Sequence, residues 1–127
     1  KRYIRENKNA FYVKSLGQKK YLSLLKYSSG IIGNSSSGIL EAPSFKIPTL
    51  NIGDRQKGRI QAESILNCRP INNEISKMII KMSSKSFKKK ISKTKNPFFK
   101  KSTIINISKE LLKFKSENLK KHFFNIN

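Results

Sequence analysis

Residues 30–53 contain a strand–turn–helix–strand pattern that restricts the fold more than any other part of the chain. A short apolar run at 30–34, GIIGN, predicts a buried strand. Residues 35–45 have a helical pattern, which Pro43 limits to a short helix. A second strand is expected at 47–53, IPTLNIG. Two strands joined through a helix form a βαβ unit, whose strands are parallel and whose crossover is right-handed.

Strands and helices alternate in the rest of the chain, which predicts an α/β fold with a Rossmann-like parallel sheet. Residues 11–16, FYVKSL, predict an earlier strand, and helices are expected at 18–28 and 73–82. Residues 83–101 are a loop or weak helix rich in serine and lysine, interrupted at Asn96-Pro97. A last helix is expected to face the core through Ile104, Ile105, Ile107, Leu111, Leu112 and Phe114.

The length of 127 residues suits one domain, which we place at 1–116 with a tail at 117–127. The chain begins at Lys1 without a methionine, so we expect it to be a segment of something longer. It has no membrane-spanning apolar run and no signal-peptide pattern. The single cysteine, Cys68, excludes an intrachain disulfide and fits a reducing compartment. We therefore expect a cytoplasmic protein.

The formal net charge of +21 raises the question of nucleic-acid binding. All but five of the cations are lysines, whereas arginine is the better bidentate reader of phosphate. This composition makes a biased but ordinary solvated surface the preferred interpretation. The alternative is a basic module using FKKKISKTKNPFFKK, in which Phe87, Phe98 and Phe99 would stack on bases.

The serine-rich turn does not fit the common catalytic motifs. A nucleophile elbow requires Gly-x-Ser-x-Gly, and Ser35 and Ser36 each lack one of the two glycines. A P-loop requires Lys-Ser/Thr after its second glycine, but Ile-Leu follows Gly38. The only histidine, His122, lies in the tail, and no cysteine or histidine cluster suits a metal. The chain is therefore assigned no catalytic residue and no metal ligand.

An anion-binding turn is the functional interpretation that remains. A turn between a parallel strand and a helix presents free N–H groups and the positive end of a helix dipole. Ser37 and Glu41 are four residues apart and share a helix face, where a carboxylate could accept from ribose hydroxyls. Arg55 and Arg59 follow the next strand and could converge on the same crevice. The alternative is a serine N-cap, a surface glutamate and a basic loop.

The segment IIGNSSSGILEAPSFKIPTLNIGDRQKGR closely resembles the signature of UDP-N-acetylglucosamine 2-epimerases. It is most similar to the hydrolysing branch, which forms N-acetylmannosamine for sialic-acid-type sugars. The resemblance is specific over residues 14–69 and weaker beyond them. At 96–99 the chain has Asn-Pro-Phe-Phe where the family usually has Asn-Pro-Tyr-Gly.

The resemblance implies a GT-B-like enzyme of two Rossmann-like domains, of which this chain is the incomplete C-terminal, UDP-binding one. The N-terminal domain would be absent from the chain. By resemblance, Ser35 and Ser36 contact the diphosphate, Glu41 the ribose, Arg55 the UDP, and the backbone at Leu16 the uracil. Further candidates for UDP contact are Ser37, Gln56 and Arg59.

The same resemblance implies the reaction and the partners. UDP is eliminated to leave a 2-acetamidoglucal, and water then adds to give N-acetylmannosamine, without metal or nicotinamide cofactor. The family's catalytic carboxylates come mainly from the N-terminal domain, so this chain alone is expected to be inactive. The intact enzyme is expected to be a homo-oligomer, with no membrane or nucleic-acid partner. A GT-B glycosyltransferase domain is the alternative within the same fold.

Overall fold

A parallel sheet of three strands organises residues 2–114, the part of the chain that the computed structural model describes. The strands are β1 (Ile31–Gly33), β2 (Thr49–Ile52) and β3 (Ile65–Cys68), and they lie in that order. Both pairings are parallel, with Leu50 opposite Ile32 on one side and Leu66 on the other. The predicted α/β fold with a parallel sheet is confirmed.

Helices connect and cover these strands. The helices are α1 (Arg2–Glu6), α2 (Gly17–Tyr27), α3 (Ser37–Leu40), α4 (Asn72–Ser83), α5 (Lys85–Ile91) and α6 (Thr103–Lys113), with a 3-10 helix at Ala42–Phe45. The helices predicted at 18–28 and 73–82 are confirmed as α2 and α4. No helix within residues 2–114 is long and apolar enough to cross a membrane.

The βαβ unit joins β1 to β2 through α3 and the 3-10 helix. The helix predicted for 35–45 is divided in two, because Pro43 occupies the first turn of the 3-10 helix, where a missing N–H costs little. Lys46 then takes a left-handed conformation, with φ of 56°, and ends the helical segment before β2. The connection is consequently short and holds the turn after β1 close to the sheet.

The two faces of the sheet carry different helices. Side chains alternate along β2, so Leu50 points to one face and Thr49 to the other. On the Leu50 face, α4 and α5 supply the buried residues Met82, Phe87 and Ile91. On the Thr49 face, α3 contributes Ile39, which packs with Ala62 and Ile65. A third cluster, of Leu25, Ala42 and Ile47, attaches α2 to the 3-10 helix.

The start of α4 is stabilised by a glutamate in its first turn. Glu74 accepts from the Arg69 backbone N–H at 3.0 Å and from Arg69 Nε at 2.7 Å. This places a carboxylate at a helix N-terminus, where the helix dipole favours negative charge. Hydrogen bonding from Arg69 lowers the pKa of the Glu74 carboxyl.

Two predictions about secondary elements are wrong. Residues 11–16 form no strand, and Phe11 is 85% exposed. The apolar composition of that segment resembles a strand, but no described strand lies beside it to complete a ladder. Helix α6 exists as predicted, yet none of its residues is buried against the described chain, and Leu112 is 87% exposed. Its apolar face therefore does not face the core of residues 2–114.

Other elements were incompletely predicted. Strand β3 was not predicted, because its four residues include a polar Asn67 and give little periodic signal. The region 83–101, expected as loop or weak helix, contains α5, whose start is capped by Ser84 accepting from the Phe87 N–H at 3.2 Å. The predicted tail at 117–127 lies outside the described residues.

The positions of Leu50 and Leu112 allow the core to be tested with the same substitution. Leu50 is completely buried, so Leu50→Ala should reduce the free energy of unfolding by about 2–5 kcal/mol. Leu112→Ala should change it by less than about 0.5 kcal/mol, because Leu112 is exposed. Urea unfolding followed by circular dichroism measures both. A comparable loss in both variants would show that α6 packs into a core.

The Arg69–Glu74 pair makes stability depend on pH. Because folding lowers the pKa of Glu74, its contribution is complete above the unfolded-state pKa and is lost as pH falls through the folded-state pKa. Glu74→Gln should therefore lower the urea midpoint at about pH 7, and the difference should shrink as the pH is lowered below the unfolded-state pKa of the glutamate. Glu110→Gln, in the exposed pair with Lys113, is the control and should have little effect at any pH. A pH-independent difference for Glu74→Gln would contradict the assignment.

Candidate functional site

The serine turn lies at the carboxyl end of β1, as predicted. We use this name for residues 34–36, between Gly33 at the end of β1 and Ser37 at the start of α3. Ser35 is exposed, and its Oγ accepts from the Ser37 N–H at 3.3 Å. Within residues 2–114, the N–H groups of Ser35 and Ser36 donate to no backbone carbonyl. The turn can therefore offer two N–H groups and two hydroxyls to an acceptor such as a phosphate oxygen.

Gln56, a buried glutamine in the loop after β2, hydrogen-bonds to the backbone of the serine turn. Gln56 is only 2% exposed, and its Nε2 donates to the Asn34 carbonyl at 2.9 Å. Its Oε1 has no hydrogen-bond partner among the described residues. The sequence suggested Gln56 as a possible ligand contact. In the structure its side chain is buried and contacts the backbone of the turn. There it fixes the backbone conformation that presents Ser35.

Glu41 lies one turn after Ser37, and the two side chains meet. Ser37 Oγ donates to Glu41 Oε2, as expected from their spacing of four residues. The hydroxyl of Tyr21, on α2, contacts the same Ser37 Oγ. Tyr21 lies in the helix predicted at 18–28, for which the sequence assigned its hydroxyl no role. The one signal available was that a half-buried tyrosine hydroxyl needs a polar partner.

Two clefts are lined by candidate site residues. The first, which we call the Leu16 cleft, has a volume of about 670 Å³ and is bordered by the loop at 13–18 together with Tyr21, Leu24 and Glu41. The second, the Arg55 cleft, has a volume of about 400 Å³ and is lined by Gly33, Asn34, Ile52, Gly53, Asp54, Arg55 and Pro70. The Arg55 cleft borders Asn34, the first residue of the turn. The Leu16 cleft borders Glu41, which follows α3.

The two arginines after β2 are not equivalent. Arg55 lines the Arg55 cleft together with Asn34, so the structure brings this arginine to the serine turn. Arg59 is exposed and lines neither cleft, although its N–H donates to the Gln56 carbonyl at 3.3 Å. Of the two arginines, Arg55 lines the cleft that includes Asn34, and Arg59 does not.

The described residues do not form a metal centre or an activated thiol. No group of three or more histidine, cysteine, aspartate or glutamate side chains within residues 2–114 could hold a metal ion. Burial raises the pKa of the Cys68 thiol, with a smaller effect from Glu74, so that the reactive thiolate is disfavoured. What the arrangement offers is recognition of a polar, anionic ligand.

Comparison with known proteins identifies the family. Residues 1–112 match the family model described as UDP-N-acetylglucosamine 2-epimerase. The chain belongs to this family. The match covers both clefts, the serine turn and most of α6, so the epimerase relationship extends over nearly all of the described residues.

Individual relatives agree with this assignment. Over 112 residues, the chain is 40% identical to the "Polysialic acid biosynthesis protein P7" of Escherichia coli, covering 86% of this chain and 29% of the relative. It is 50% identical over 74 residues to a "GDP/UDP-N,N'-diacetylbacillosamine 2-epimerase (hydrolyzing)" of Campylobacter jejuni, covering 58% of this chain and 19% of the relative. A "UDP-N-acetylglucosamine 2-epimerase" of Neisseria meningitidis is 43% identical over 47 residues, which are 37% of this chain and 12% of the relative. The chain thus spans less than a third of the length of these relatives.

The buried position of Gln56 allows the support of the serine turn to be tested in this epimerase-family chain. Gln56→Leu removes the donor to Asn34 and leaves a carbonyl without its partner, so it should lower the free energy of unfolding by about 1–3 kcal/mol. Gln18→Leu, at an exposed position, is the control and should change it by less than about 0.5 kcal/mol. Urea unfolding and the amide chemical shifts of residues 34–36 are the measurements. Unchanged amide shifts in Gln56→Leu would contradict a supporting role.

Proposed function

We propose that this chain forms the UDP-binding, C-terminal part of a hydrolysing UDP-N-acetylglucosamine 2-epimerase. The observation that carries the proposal is the serine turn, whose Asn34 lines the Arg55 cleft and which precedes Glu41 at the border of the Leu16 cleft, in a segment that matches the epimerase family. In the proposed reaction, UDP is eliminated from the sugar and water then adds to give N-acetylmannosamine. The word "hydrolyzing" in the name of the Campylobacter jejuni relative supports this branch.

The diphosphate is proposed to lie on the serine turn. Ser35 and Ser36 would donate through their N–H groups and hydroxyls, which have no backbone acceptor among the described residues. Arg55 lies at the edge of the adjacent cleft, where its guanidinium would neutralise part of the phosphate charge. UDP is also the leaving group in the elimination. Stabilising its negative charge would therefore assist bond cleavage as well as binding.

The nucleoside is proposed to occupy the Leu16 cleft. The backbone at Leu16 would hydrogen-bond to the uracil, since base edges require donors and acceptors at fixed positions. Glu41 borders the same cleft and would accept from the ribose hydroxyls.

Proton transfer at the sugar is assigned to residues outside this chain. Glu41 is engaged with Ser37 on the nucleoside side, and Asp54 is exposed in the Arg55 cleft. We propose that the catalytic carboxylates and the second Rossmann-like domain belong to the portion of the relatives that this chain does not span. The chain alone would then bind UDP without turnover.

Two alternative functions can be compared with this proposal. A GT-B glycosyltransferase would use the same UDP site, and product analysis separates it, since transferred sugar replaces free N-acetylmannosamine. The structure gives no support to the nucleic-acid module, because Phe87 is only 8% exposed and packs in the core. Of the phenylalanines suggested to stack on bases, only Phe98 and Phe99 are exposed.

Glu41→Gln tests the ribose contact directly. Loss of a hydrogen bond to a charged acceptor should weaken UDP binding by about 1.5–3 kcal/mol, which is about 10- to 100-fold in Kd. Isothermal titration calorimetry with UDP measures the change. Glu63→Gln, at an exposed position outside both clefts, is the matched control and should leave the Kd unchanged.

Two outcomes of the UDP titrations would contradict the proposal. If UDP binds to Glu41→Gln as it does to the unsubstituted chain, the ribose contact is wrong. If UDP binds to neither protein, the assignment of a UDP site to this chain is wrong.

A further inference from the structure

We infer that Tyr21 and Ser37 are positioning residues that hold Glu41 so that it distinguishes a ribose from a sugar lacking its hydroxyls. The inference rests on the proposed UDP site and adds to it a source of specificity. The three side chains form a hydrogen-bonded series, which we call the Tyr21 relay, between α2 and the segment that follows β1.

The direction of the relay follows from the chemistry of its members. An ionised carboxylate only accepts hydrogen bonds, so the single hydroxyl proton of Ser37 is donated to Glu41 Oε2. Ser37 Oγ can then only accept from Tyr21, whose hydroxyl is the donor. The order is therefore Tyr21 to Ser37 to Glu41. Each bond is polarised by the carboxylate at its end, and a partly buried setting strengthens this effect.

This direction changes the role given to Ser37. Sequence reasoning included Ser37 with Ser35 and Ser36 as a possible contact to UDP. Its hydroxyl proton is already committed to Glu41, so it is not free to donate to a phosphate oxygen. Among the three serines, Ser37 donates to the Glu41 carboxylate, whereas Ser35 and Ser36 remain available to a ligand.

The relay leaves one oxygen of Glu41 for a ligand. Among the hydrogen bonds within residues 2–114, the one to the Glu41 side chain uses Oε2. Tyr21 and Glu41 both border the Leu16 cleft, so the carboxylate is held at the edge of the space proposed for the nucleoside. Oε1 can then accept from a vicinal pair of hydroxyls. A carboxylate fixed in one rotamer does so with less loss of conformational entropy than a free one.

The elements that carry the relay are themselves anchored. Leu25, on the same helix as Tyr21, is buried with Ala42 and Ile47. On the other side, Gly38, next to Ser37, lies against Thr49 of β2. The two ends of the relay are consequently held by packing on both sides.

The test compares two ligands, UDP and 2′,3′-dideoxy-UDP, which lacks both ribose hydroxyls. Their Kd values are measured by calorimetry for the unsubstituted chain and for Tyr21→Phe, Ser37→Ala and Ser37→Thr. The unsubstituted chain should prefer UDP by about 10- to 100-fold. Tyr21→Phe and Ser37→Ala should reduce this preference by about 2- to 10-fold, with the Kd for the dideoxy ligand unchanged. Ser37→Thr keeps a hydroxyl and should retain the preference.

Tyr27→Phe is the matched control, because Tyr27 lies on the same helix and is exposed. It should leave both Kd values unchanged. If Tyr21→Phe does not fold, as judged by thermal unfolding, the Ser37→Ala and Ser37→Thr pair decides the question.

The possible failures are distinguishable. An undiminished preference in Tyr21→Phe and Ser37→Ala overturns the positioning role while leaving the UDP site intact. An equal loss of affinity for both ligands indicates a structural role and also overturns the inference. If the unsubstituted chain binds neither ligand, the proposed UDP site is itself wrong, and the inference falls with it.

Discussion

Close contact between α3 and β2 is the constraint on which the candidate site depends. A Cβ placed on Gly38 would lie 2.7 Å from Thr49 Cγ2, so only glycine permits this approach without displacement. Thr49 Oγ1 donates to the Gly38 carbonyl at 3.0 Å, in a fully buried position. The helix is thereby held directly against the second strand. Because α3 is a single turn held against β2, its first residues lie at the carboxyl edge of the sheet.

The second support comes from the loop after β2 and acts on the same turn. Gln56 reaches from that loop to the Asn34 carbonyl, which lies 22 residues earlier in the chain. The end of β1 and the end of β2 are therefore joined by a side chain in addition to the sheet ladder. This bond also brings Arg55, one residue before Gln56, to the turn. The backbone of the serine turn is thus tied to the loop after β2 by a buried polar contact.

The sequence permitted prediction of the parallel βαβ unit because glycines, Pro43 and alternating apolar runs mark its boundaries within a few residues. It did not permit prediction of β3, whose four residues include Asn67. The side-chain amide of Asn67 is paired across the sheet, where Asn51 Nδ2 donates to Asn67 Oδ1 at 2.8 Å. Asn51 lies 16 residues before Asn67, so no local sequence pattern reveals the contact that accommodates Asn67 in a strand. The same reason applies to Tyr21, whose hydroxyl contacts Ser37, 16 residues later in the chain.

The three consecutive serines show where sequence pattern stops and structure becomes necessary. Ser35, Ser36 and Ser37 are chemically identical, and their order along the chain suggests a shared role in binding an anion. The structure distinguishes them by their partners, since only Ser37 contacts Tyr21 and Glu41. A hydroxyl has one proton, so donation to a carboxylate excludes donation to a phosphate at the same time. The contact of Ser37 with Glu41 follows from their four-residue spacing, whereas its contact with Tyr21 depends on α2 lying beside this segment, which no local motif records.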